Sequence, residues 1–545
     1  MSSDGVPESP APRAPVDRPV TRAVDALRAL GTLVRSGVVR PMAPARLLGV
    51  LDAYLRWDIT IAMGYAVGAA RHPDRPAIVD ERGTLSYAQV DRRTTRLANG
   101  LRDLGVGPGD KVAVLCRNHR GFVETLTACV KLGAHAVLLN TGLSAGQVAT
   151  VLREQDVSVV VADAEFRPLL RNAPRDVRRV TAWVDGPTKA RTLDDLVAGA
   201  SDAPPRRGGP RGRMIVLTSG TTGAPKGAKR PEPASLAPAA ALLSRIPLRA
   251  GDRFAVPAPL FHTWGLAAFQ LSLVLGATLV LRRGFDPALT LTDAREHGVA
   301  AMFVVPVMLQ RVLELPGRPH LPELRVIASS GSALPPSVAR RCLDGFGPVL
   351  YNLYGSTEVS WVSVARPEEL ARRPDTAGRP PRGTRLEILD DEGNPVPAGA
   401  TGRVFVANDM LFDGYTHGSG KEVRRGLMAT GDVGRRDADG LLYVLGRDDE
   451  MVVSGGENVH PREVEDLLAG LPGVREVAVV GVPDERFGQR LAAYVVRAEP
   501  GVPDEDAVRA HVRAHLARFS VPRDVVFVDA LPRNATGKVL KRELG

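Results

Sequence analysis

Cysteine is scarce in this chain of 545 residues. The three cysteines, Cys116, Cys129 and Cys342, are widely spaced, and no C-x-x-C pair is present. This spacing predicts neither a disulfide framework nor a zinc site, and it fits a reducing, cytoplasmic setting. Long apolar runs are also lacking. The longest, "ITIAMGYAVGAA" (59–70), is shorter than the roughly 20 residues that a membrane-spanning helix needs.

A concentrated basic surface is the next feature that the sequence lacks. The net charge of +10 suits anionic ligands such as nucleotides, coenzymes and acidic lipids. The lysines and arginines are scattered, however, without a helical basic stripe interleaved with aromatic residues, so we expect no nucleic-acid partner. The first residues, "MSSDGVPESPAPRAPVDRP", lack the apolar centre of a signal peptide, and we predict a disordered tail over residues 1–40.

Two interpretations stay open for the segment "RLLGVLDAYLRW" (46–57). Leu47, Leu48, Leu51 and Leu55 recur at helical spacing beside flanking arginines. The pattern favours an amphipathic helix packed against the main body of the protein. It also suits a helix that lies on a membrane surface, which would make the protein peripheral at the inner face of the membrane.

Strands and helices alternate along much of the chain. "KVAVLC" (111–116) and "VSVVVAD" (157–163) have the pattern of buried strands, and amphipathic helices separate them. This alternation predicts parallel sheets with crossover helices. From about Thr384 the sequence becomes β-rich. We therefore predict an α/β fold with a large domain over 41–448, made of parallel-sheet subdomains and a β-rich subdomain, and a small mobile α+β domain over 449–545.

The segment "TSGTTGAPKGAKR" (218–230) is rich in glycine, serine and threonine but is not a P-loop. Neither Gly220 nor Gly223 is followed five residues later by the glycine that the motif requires. The backbone N–H groups and hydroxyls of such a loop still suit phosphate oxygens, and Lys226 adds a cation. Alone, a cluster of this composition is more often an ordinary loop.

Further segments carry the polar groups that a nucleotide requires. "YGSTE" supplies an aromatic face (Tyr354), a hydroxyl (Thr357) and a carboxylate (Glu358), which suit a purine, a phosphate and Mg²⁺. "TGD" offers the carboxylate of Asp432 to two ribose hydroxyls, and "GRDD" places Arg447 beside it. Each residue alone is also typical of an ordinary loop, so the interpretation depends on their joint occurrence and order.

Taken in order, "TSGTTGAPKG", "YGSTE", "TGD", "GRDD", "VSGGEN" and "PRNATGK" resemble the adenylate-forming superfamily. This superfamily includes acyl-CoA synthetases, firefly luciferase and the adenylation domains of peptide synthetases. The resemblance covers roughly Pro73 to the end of the chain. It implies ATP, Mg²⁺ and coenzyme A: a carboxylic acid is activated to an acyl-adenylate with release of pyrophosphate, and the acyl group then passes to a thiol.

The resemblance also implies roles for individual residues. Thr218 to Lys226 would clasp the phosphates, with Thr218 and Glu358 holding Mg²⁺. Lys538 would contact the charge that develops between the carboxylate and the α-phosphate, and Asp449 matches the hinge of the small domain. The implied contacts to the nucleotide and to coenzyme A are Ser219, Gly220, Thr221, Thr222, Gly223, Gly331, Ser332, Asn352, Tyr354, Gly355, Thr357, Asp432, Arg447 and Gly455.

The acid is indicated by the region "PAPLFHTWGLAAFQLSLVLGATLVL" (257–281), which matches the acyl pocket of the family. His262, Trp264 and Gly265 are the pocket residues, and Trp264 lies near the position of a gating tryptophan in long-chain members. The region is almost wholly apolar and offers no Asp or Lys to an amino group, which argues against amino acids. The pattern looks most like bacterial medium- and long-chain fatty-acid–CoA ligases, so a fatty acid and coenzyme A are the expected partners. An enzyme that adenylates acyl or aryl acids and loads a carrier-protein thiol is the alternative, and chain length and oligomeric state stay open.

Overall fold

The computed structural model of the chain describes residues 19–205, 211–218, 226–229, 231, 233–415, 420–454, 457–484 and 488–544. Residues 1–18 of the predicted tail therefore lie outside the described residues. The helices are α1 (Pro19–Arg35), α2 (Pro44–Trp57), α3 (Ile61–Arg71), α4 (Tyr87–Asp103), α5 (Arg120–Leu132), α6 (Ala145–Glu154), α7 (Leu193–Gly199), α8 (Ala237–Leu243), α9 (Thr263–Leu275), α10 (Pro287–Glu296), α11 (Pro306–Leu313), α12 (Pro336–Phe346), α13 (Pro367–Arg372), α14 (Pro461–Leu468) and α15 (Glu505–His515). Short 3-10 helices occupy Ala164–Leu170, Asp448–Glu450, Arg518–Ser520 and Lys541–Glu543.

The strands of the described residues belong to four sheets. In chain order they are β1 (Pro76–Asp80), β2 (Gly83–Ser86), β3 (Lys111–Leu115), β4 (His135–Leu138), β5 (Val157–Ala162), β6 (Arg178–Thr181), β7 (Met214–Thr218), β8 (Lys226–Lys229), β9 (Arg253–Ala255), β10 (Thr278–Val280), β11 (Ala301–Val304), β12 (Val326–Ser329), β13 (Leu350–Tyr354), β14 (Ser363–Ala365), β15 (Arg385–Leu389), β16 (Thr401–Ala407), β17 (Val423–Arg424), β18 (Leu427–Arg436), β19 (Leu442–Arg447), β20 (Val452–Ser454), β21 (Glu457–Val459), β22 (Val474–Asp484), β23 (Gly488–Arg497) and β24 (Asp524–Phe527).

Two mostly parallel sheets form the bulk of the large domain. The first has six strands in the order β6-β5-β3-β4-β7-β8, and only the edge strand β8 is antiparallel to its neighbour. The second has eight strands in the order β14-β13-β12-β11-β9-β10-β1-β2, with antiparallel pairs only at its two edges. One apolar cluster joins residues of both sheets with α3, α4, α5 and α9. The predicted parallel sheets with crossover helices are thus confirmed.

Local sequence explains where these elements begin and end. α4 follows Ser86, whose hydroxyl accepts a hydrogen bond from the N–H of Gln89, while the Gln89 side chain accepts one from the N–H of Ser86. α5 ends at Gly133, where a φ of 76° places the backbone in the left-handed region that favours glycine. The apolar run of β3 is buried, as expected for a central parallel strand.

The β-rich part and the small domain follow the two parallel sheets. β15 to β19 form an antiparallel sheet of five strands. The small domain contains a second five-stranded sheet, formed by β20 to β24, and an apolar cluster that includes residues of α14 and α15. This architecture confirms the predicted fold class. The boundary after Asp448 stays a prediction.

The N-terminal region differs from the prediction of a disordered tail over residues 1–40. Pro19–Arg35 form α1, which contacts α8 of the large domain. Leu33 is buried, and the carbonyl of Ser36 accepts a hydrogen bond from the N–H of Ala250 at 2.7 Å. The helix is stabilised by tertiary contacts that a proline- and arginine-rich composition does not reveal. Among the described helices, none combines the length and the apolar character needed to cross a membrane.

Cys116, His119 and Asp163 lie together in the core of the large domain. The Nδ1 of His119 accepts a hydrogen bond from the N–H of Gly121 at 3.0 Å. Its Nε2 therefore carries the proton, and this N–H donates a hydrogen bond to the Oδ1 of Asp163 at 2.8 Å. These hydrogen bonds satisfy the imidazole on both sides, so the cluster is a structural network that ties α5 to the end of β5.

Candidate active site

A cavity of about 1490 Å³ lies between the large and the small domain. Its volume exceeds the roughly 300–1,000 Å³ typical of a site for one small ligand, so it has room for a nucleotide and a second substrate. The predicted site residues that line it are His262, Trp264, Gly331, Ser332, Asn352, Tyr354, Gly355, Thr357, Glu358, Asp432, Arg447, Asp449 and Lys538. The structure therefore brings together residues that the sequence separates by almost three hundred positions.

The loops after β12 and β13 supply one wall of the cavity. These strands are parallel neighbours, so their carboxyl ends open at the same edge of the sheet. Gly331, in the first loop, has a φ of +98°, and a Cβ there would lie 3.3 Å from Val305. Asn352 is on β13, and its Oδ1 is buried without a hydrogen-bond partner in the described part of the chain. A donor group of a ligand would satisfy this oxygen.

The glycine-rich segment connects two paired strands. Thr218 and Lys226 face each other across the β7–β8 hairpin, and Leu217 beside them lines the cavity. The hairpin thus places both ends of the loop at the rim of the cavity. The loop itself, with Ser219, Gly220, Thr221, Thr222 and Gly223, lies outside the described residues, as do Gly455 and the side chains of Thr218 and Lys226.

Glu358 is held by two hydroxyl groups. Tyr415 donates to its Oε1 at 2.7 Å and Ser356 to its Oε2 at 2.8 Å. Burial opposes ionisation, but these hydrogen bonds and the nearby Lys421 outweigh it, so the pKa of Glu358 lies below its ordinary value. The carboxylate is therefore ionised at neutral pH. Sequence reasoning missed Tyr415, which stands in the "GYTHG" segment, because its contact with Glu358 joins positions far apart in the chain.

Asp432 and Arg447 face each other across β18 and β19, as their motifs predict. The guanidinium of Arg447 lies 3.6 Å from the Asp432 carboxylate, and the hydroxyl of Tyr354 donates a hydrogen bond to the same carboxylate. Burial raises the pKa of Asp432 above its ordinary value, while Tyr354 and Arg447 act in the opposite direction. The hydroxyl of Tyr354 is consequently held beside the paired carboxylate of Asp432 and guanidinium of Arg447.

Lys538 reaches the cavity on a tight loop of the small domain. The Oδ1 of Asn534 accepts hydrogen bonds from the N–H of Thr536 at 3.0 Å and of Lys538 at 2.9 Å. The loop packs closely on the large domain, because a Cβ at Gly537 would lie 2.7 Å from Val307. Within the described residues, the Lys538 ammonium has no salt bridge, so its charge is available to an anion in the cavity.

The two domains also contact each other outside the cavity. Arg475 of the small domain forms an ion pair with Glu314 at 3.0 Å, and its carbonyl accepts a hydrogen bond from Gln310 at 2.9 Å. The chain passes between the domains through Asp448–Glu450, a short 3-10 helix without buried residues. Asp449 is in this segment and is ion-paired only with its neighbour Arg447, at 3.2 Å, in the described part of the chain. An exposed, lightly packed segment suits a pivot.

Away from the strand-end loops, part of the cavity is lined by residues of α3, α8 and α9. We name this part the apolar arm. The arm begins at Thr263, whose hydroxyl lies 3.1 Å from that of Thr357. The residues of α9 that line it continue to Val274, which is about three helical turns away. The apolar arm is defined by Met63, Gly64, Val67, Ala267, Leu271 and Val274.

Trp264 is a fixed part of this wall. Its indole N–H donates to the carbonyl of Val304 at 3.1 Å, its ring centroid lies 5.4 Å from that of Phe303, and 4% of the residue is exposed. This packing does not match a gate, which needs a free side chain. Gly265 does not line the cavity. A Cβ there would lie 2.2 Å from the carbonyl oxygen of Pro259, so glycine lets α9 pack close to the preceding loop.

Known protein families match the chain in two segments. Residues 66–416 match the model of the AMP-binding enzymes, and residues 463–538 match that of the AMP-binding enzyme C-terminal domain. The chain belongs to the AMP-binding enzyme family. It is an adenylate-forming acyl-CoA synthetase, as its motifs indicate.

The synthetase is similar to enzymes named for different acids. It is 35% identical to a feruloyl-CoA synthase from Amycolatopsis sp over 88% of this chain and 97% of the relative. It is 32% identical to the long-chain-fatty-acid–CoA ligase FadD13 from Mycobacterium tuberculosis over 84% and 92% of the two chains. Its fold matches the o-succinylbenzoate-CoA synthetase (MenE) from Bacillus subtilis, solved in complex with ATP and magnesium ion, with a TM-score of 0.77, 28% identity and coverage of 88% and 98%. The synthetase is therefore an acid–thiol ligase, and these relatives leave its acid open.

Proposed function

We propose that the synthetase activates medium- to long-chain fatty acids and transfers them to coenzyme A. The observation that carries this proposal is the apolar arm. Between Thr263 and Val274 its α9 wall contains no charged side chain. Each methylene buried there contributes up to about 0.8 kcal/mol, so affinity rises with chain length until the arm ends. A single aromatic ring would leave most of a three-turn wall without a contact.

The opposite end of the cavity suits ATP. The unpartnered Oδ1 of Asn352 is an acceptor for the exocyclic amino group of adenine. Tyr354 offers a fixed aromatic face, and the paired Asp432 and Arg447 offer an acceptor and donors to the ribose. The glycine-rich loop from Thr218 would hold the phosphates through backbone N–H groups.

The residues present also fit Mg²⁺. The ionised carboxylate of Glu358 faces the cavity, and carboxylate oxygen is the ligand type that Mg²⁺ prefers. Glu358 and Thr218 would hold the ion. Magnesium would supply positive charge that stabilises the phosphate oxygens during displacement of pyrophosphate.

Lys538 would serve the first of two half-reactions. A carboxylate oxygen of the acid attacks the α-phosphorus and pyrophosphate leaves, which requires a cation at the junction of two anions. Lys538 lines the same cavity as Glu358 only because the small domain is docked. In the second half-reaction the thiol of coenzyme A attacks the acyl carbonyl and AMP leaves. We propose that the small domain then turns about Asp449 and brings Gly455 to the thiol channel.

A pyrophosphate-release assay tests the proposal with acetate, octanoate, dodecanoate, hexadecanoate, benzoate and ferulate, each with and without coenzyme A. We expect dodecanoate or hexadecanoate to give the highest kcat/KM and to yield acyl-CoA. A higher kcat/KM for ferulate or benzoate would overturn the fatty-acid assignment. Adenylation of fatty acids without formation of the CoA thioester would favour a carrier-protein acceptor.

A variant that shortens the apolar arm tests the observation directly. Ala267→Phe places a ring in the middle of the α9 wall and should lower kcat/KM for hexadecanoate at least ten-fold while butyrate is affected little. Leu289→Phe, on the exposed side of α10, is the matched control and should change neither value. Equal losses for both acids with Ala267→Phe would contradict the placement of the acyl chain.

A further inference from the structure

Exposed apolar side chains are concentrated in the N-terminal region. In the described part of the chain, ten of the sixteen exposed large hydrophobic residues lie between Val24 and Leu55. On α2, Leu48 is 67% exposed and Leu55 71% exposed. We name the exposed side of the two helices the N-terminal apolar face, which consists of Leu27, Leu30 and Val34 on α1 and Leu47, Leu48, Leu51, Tyr54 and Leu55 on α2. Each of the two helices thus carries a stripe of exposed apolar side chains, and exposed apolar surface of this kind marks a site that another phase or molecule covers.

The segment that connects the same two helices borders the cavity to which the apolar arm belongs. Val38, Val39, Arg40 and Met42, in the segment that connects α1 to α2, line the cavity. Val39 is 42% exposed, so this end of the cavity borders solvent. The far end of the proposed acyl site therefore opens beside the N-terminal apolar face.

The charge around this opening is positive. Arg40, Arg46, Arg71 and Arg75 have no ion pair with any carboxylate that the structure describes. Burial lowers the pKa of Arg71, and repulsion from Arg75, Arg40 and Arg46 lowers it further, so these three arginines are each close enough to act on the Arg71 guanidinium. The acids of the two helices do not neutralise this cluster, because Asp25 pairs with Arg28 and Asp52 with Arg56. An anionic surface would complement the cluster.

The first eighteen residues of the chain cannot supply a comparable apolar cover. Their only side chains of aliphatic character larger than alanine, proline aside, are Met1, Val6 and Val16. The face is too extensive for these three residues, and the unpaired arginines favour an anionic partner.

We propose that the N-terminal apolar face docks the synthetase on a membrane that contains anionic phospholipid. Leucine side chains would enter the acyl boundary, while the arginine cluster would contact lipid phosphates. This orientation places the opening of the apolar arm against lipid, so that a fatty acid dissolved in the bilayer enters the arm without crossing water. Docking goes beyond the proposed function, whereas delivery of the acid rests on it.

Vesicle co-sedimentation of the full chain tests the docking. We expect binding to phosphatidylcholine vesicles that contain phosphatidylglycerol and weaker binding to phosphatidylcholine alone. The double variant Leu48→Glu/Leu51→Glu should lower the partition coefficient at least ten-fold, and Arg46→Gln should lower it about five-fold for anionic vesicles only. The matched controls, Leu289→Glu and Arg295→Gln on α10, should bind as the unchanged chain does.

Light scattering of the same proteins identifies other outcomes. The absence of vesicle binding, or equal binding by the double variant and its control, would overturn the proposal. A dimer that the double variant dissociates, without vesicle binding, would show that a second copy covers the face, which also overturns it. Delivery is tested separately: the double variant should activate butyrate in solution at the ordinary rate but vesicle-borne hexadecanoate several-fold more slowly. If the chain binds vesicles but the double variant also activates butyrate more slowly than the unchanged chain, its loss with hexadecanoate is not specific to acid taken from the vesicle. That result would contradict the delivery step and leave docking intact.

Discussion

At the scale of single residues, the candidate site depends on side chains that other parts of the chain hold in one ionisation state. Glu358 belongs to the loop after β13. Tyr415, whose hydroxyl donates a hydrogen bond to Glu358, follows strand β16 of the antiparallel sheet. The bridge between Ala228 and Tyr415 also joins this tyrosine to β8. Tyr415 thus couples the proposed magnesium ligand to the strand that follows the glycine-rich loop.

Tyr415→Phe should shift the pH dependence of adenylation. Removing the hydroxyl removes a hydrogen bond that lowers the pKa of Glu358, so that pKa rises and the acid limb of the rate profile moves to higher pH. The Mg²⁺ concentration for half-maximal rate should rise several-fold at pH 6 and less at pH 8. Pyrophosphate exchange measures both. Tyr443→Phe, which removes a hydroxyl bonded to Asp437 at 3.0 Å, is the control, and an unchanged acid limb in Tyr415→Phe would contradict this role.

Lys538→Ala should separate the two half-reactions. Loss of one positioned charge typically costs about 10²–10³ in rate, and we expect a loss of this size in formation of acyl-AMP. Thioester formation from supplied acyl-AMP and coenzyme A should stay within a factor of about two. Single-turnover kinetics measures each half. Equal slowing of both halves would show that Lys538 has a structural role.

At the scale of elements, helix α14 brings ionisable groups of the small domain into the cavity. Asp466 lines the cavity, and burial raises its pKa from 3.8 to about 6. Arg462 lies 3.5 Å away and lowers the pKa, while Glu465 and Asp375 raise it. Desolvation is the largest of these effects, so the folded state binds the proton of Asp466 more tightly than the unfolded chain does.

Asp466→Asn should stabilise the protein in a defined pH range. Above about pH 6 the carboxylate of Asp466 is ionised in the folded state, and burial of this charge lowers the unfolding free energy. A neutral amide avoids this effect. At pH 8 the unfolding free energy of the variant should therefore exceed that of the unchanged protein by an amount on the order of 2 kcal/mol. The unfolding temperature should be higher accordingly. The difference should shrink as the pH falls from about 6 towards 4, where native Asp466 becomes protonated. Calorimetry across pH 4–8 measures it, with Glu463→Gln on the exposed side of α14 as the control. A constant difference would rule out the titration of Asp466 as its cause.

The elements and the site were predictable to different degrees. Apolar runs and the amphipathic periodicity between them predicted β3, β5 and the helices α5 and α6 that separate them, because local sequence dictates these features. The resemblance to the adenylate-forming superfamily implied that Asn352, Tyr354 and Asp432 contact one nucleotide, and all three line the cavity. The fixed position of Trp264 was not predictable, since its hydrogen-bond acceptor is a backbone carbonyl on β11. The helix α1 was not predictable either, because its stability comes from contact with α8.

At the scale of the whole molecule, the N-terminal region packs on the large domain and also exposes apolar side chains to solvent. α1 buries Leu33 on the large domain, and the segment after it lines one side of the cavity. The region lies ahead of residue 66, where the match to the family model begins. Part of this region nevertheless lines the cavity in which we propose the acyl site.

Deletion of residues 1–38 should destabilise the large domain and impair use of long acids. Loss of the buried Leu33 and of the hydrogen bond from Ala250 to Ser36 should lower the unfolding free energy by about 2–4 kcal/mol. Adenylation of hexadecanoate should fall more than that of butyrate, because Val38 lines the arm. Denaturant unfolding and pyrophosphate release measure the two effects. Deletion of residues 1–18 is the control, and equal behaviour of both deletions would contradict a structural role for α1.

The two ends of the cavity have a consequence for the order in which the substrates bind. ATP would enter between the domains, past Lys538 and Arg447, whereas the acid would enter beside Val39 at the opposite end. Neither substrate then blocks the path of the other. Initial-rate patterns should therefore be those of random addition for ATP and the fatty acid. A non-reactive alkyl chain should act as a dead-end inhibitor that is competitive against the acid and noncompetitive against ATP. Strictly ordered addition would mean that both substrates share one entrance.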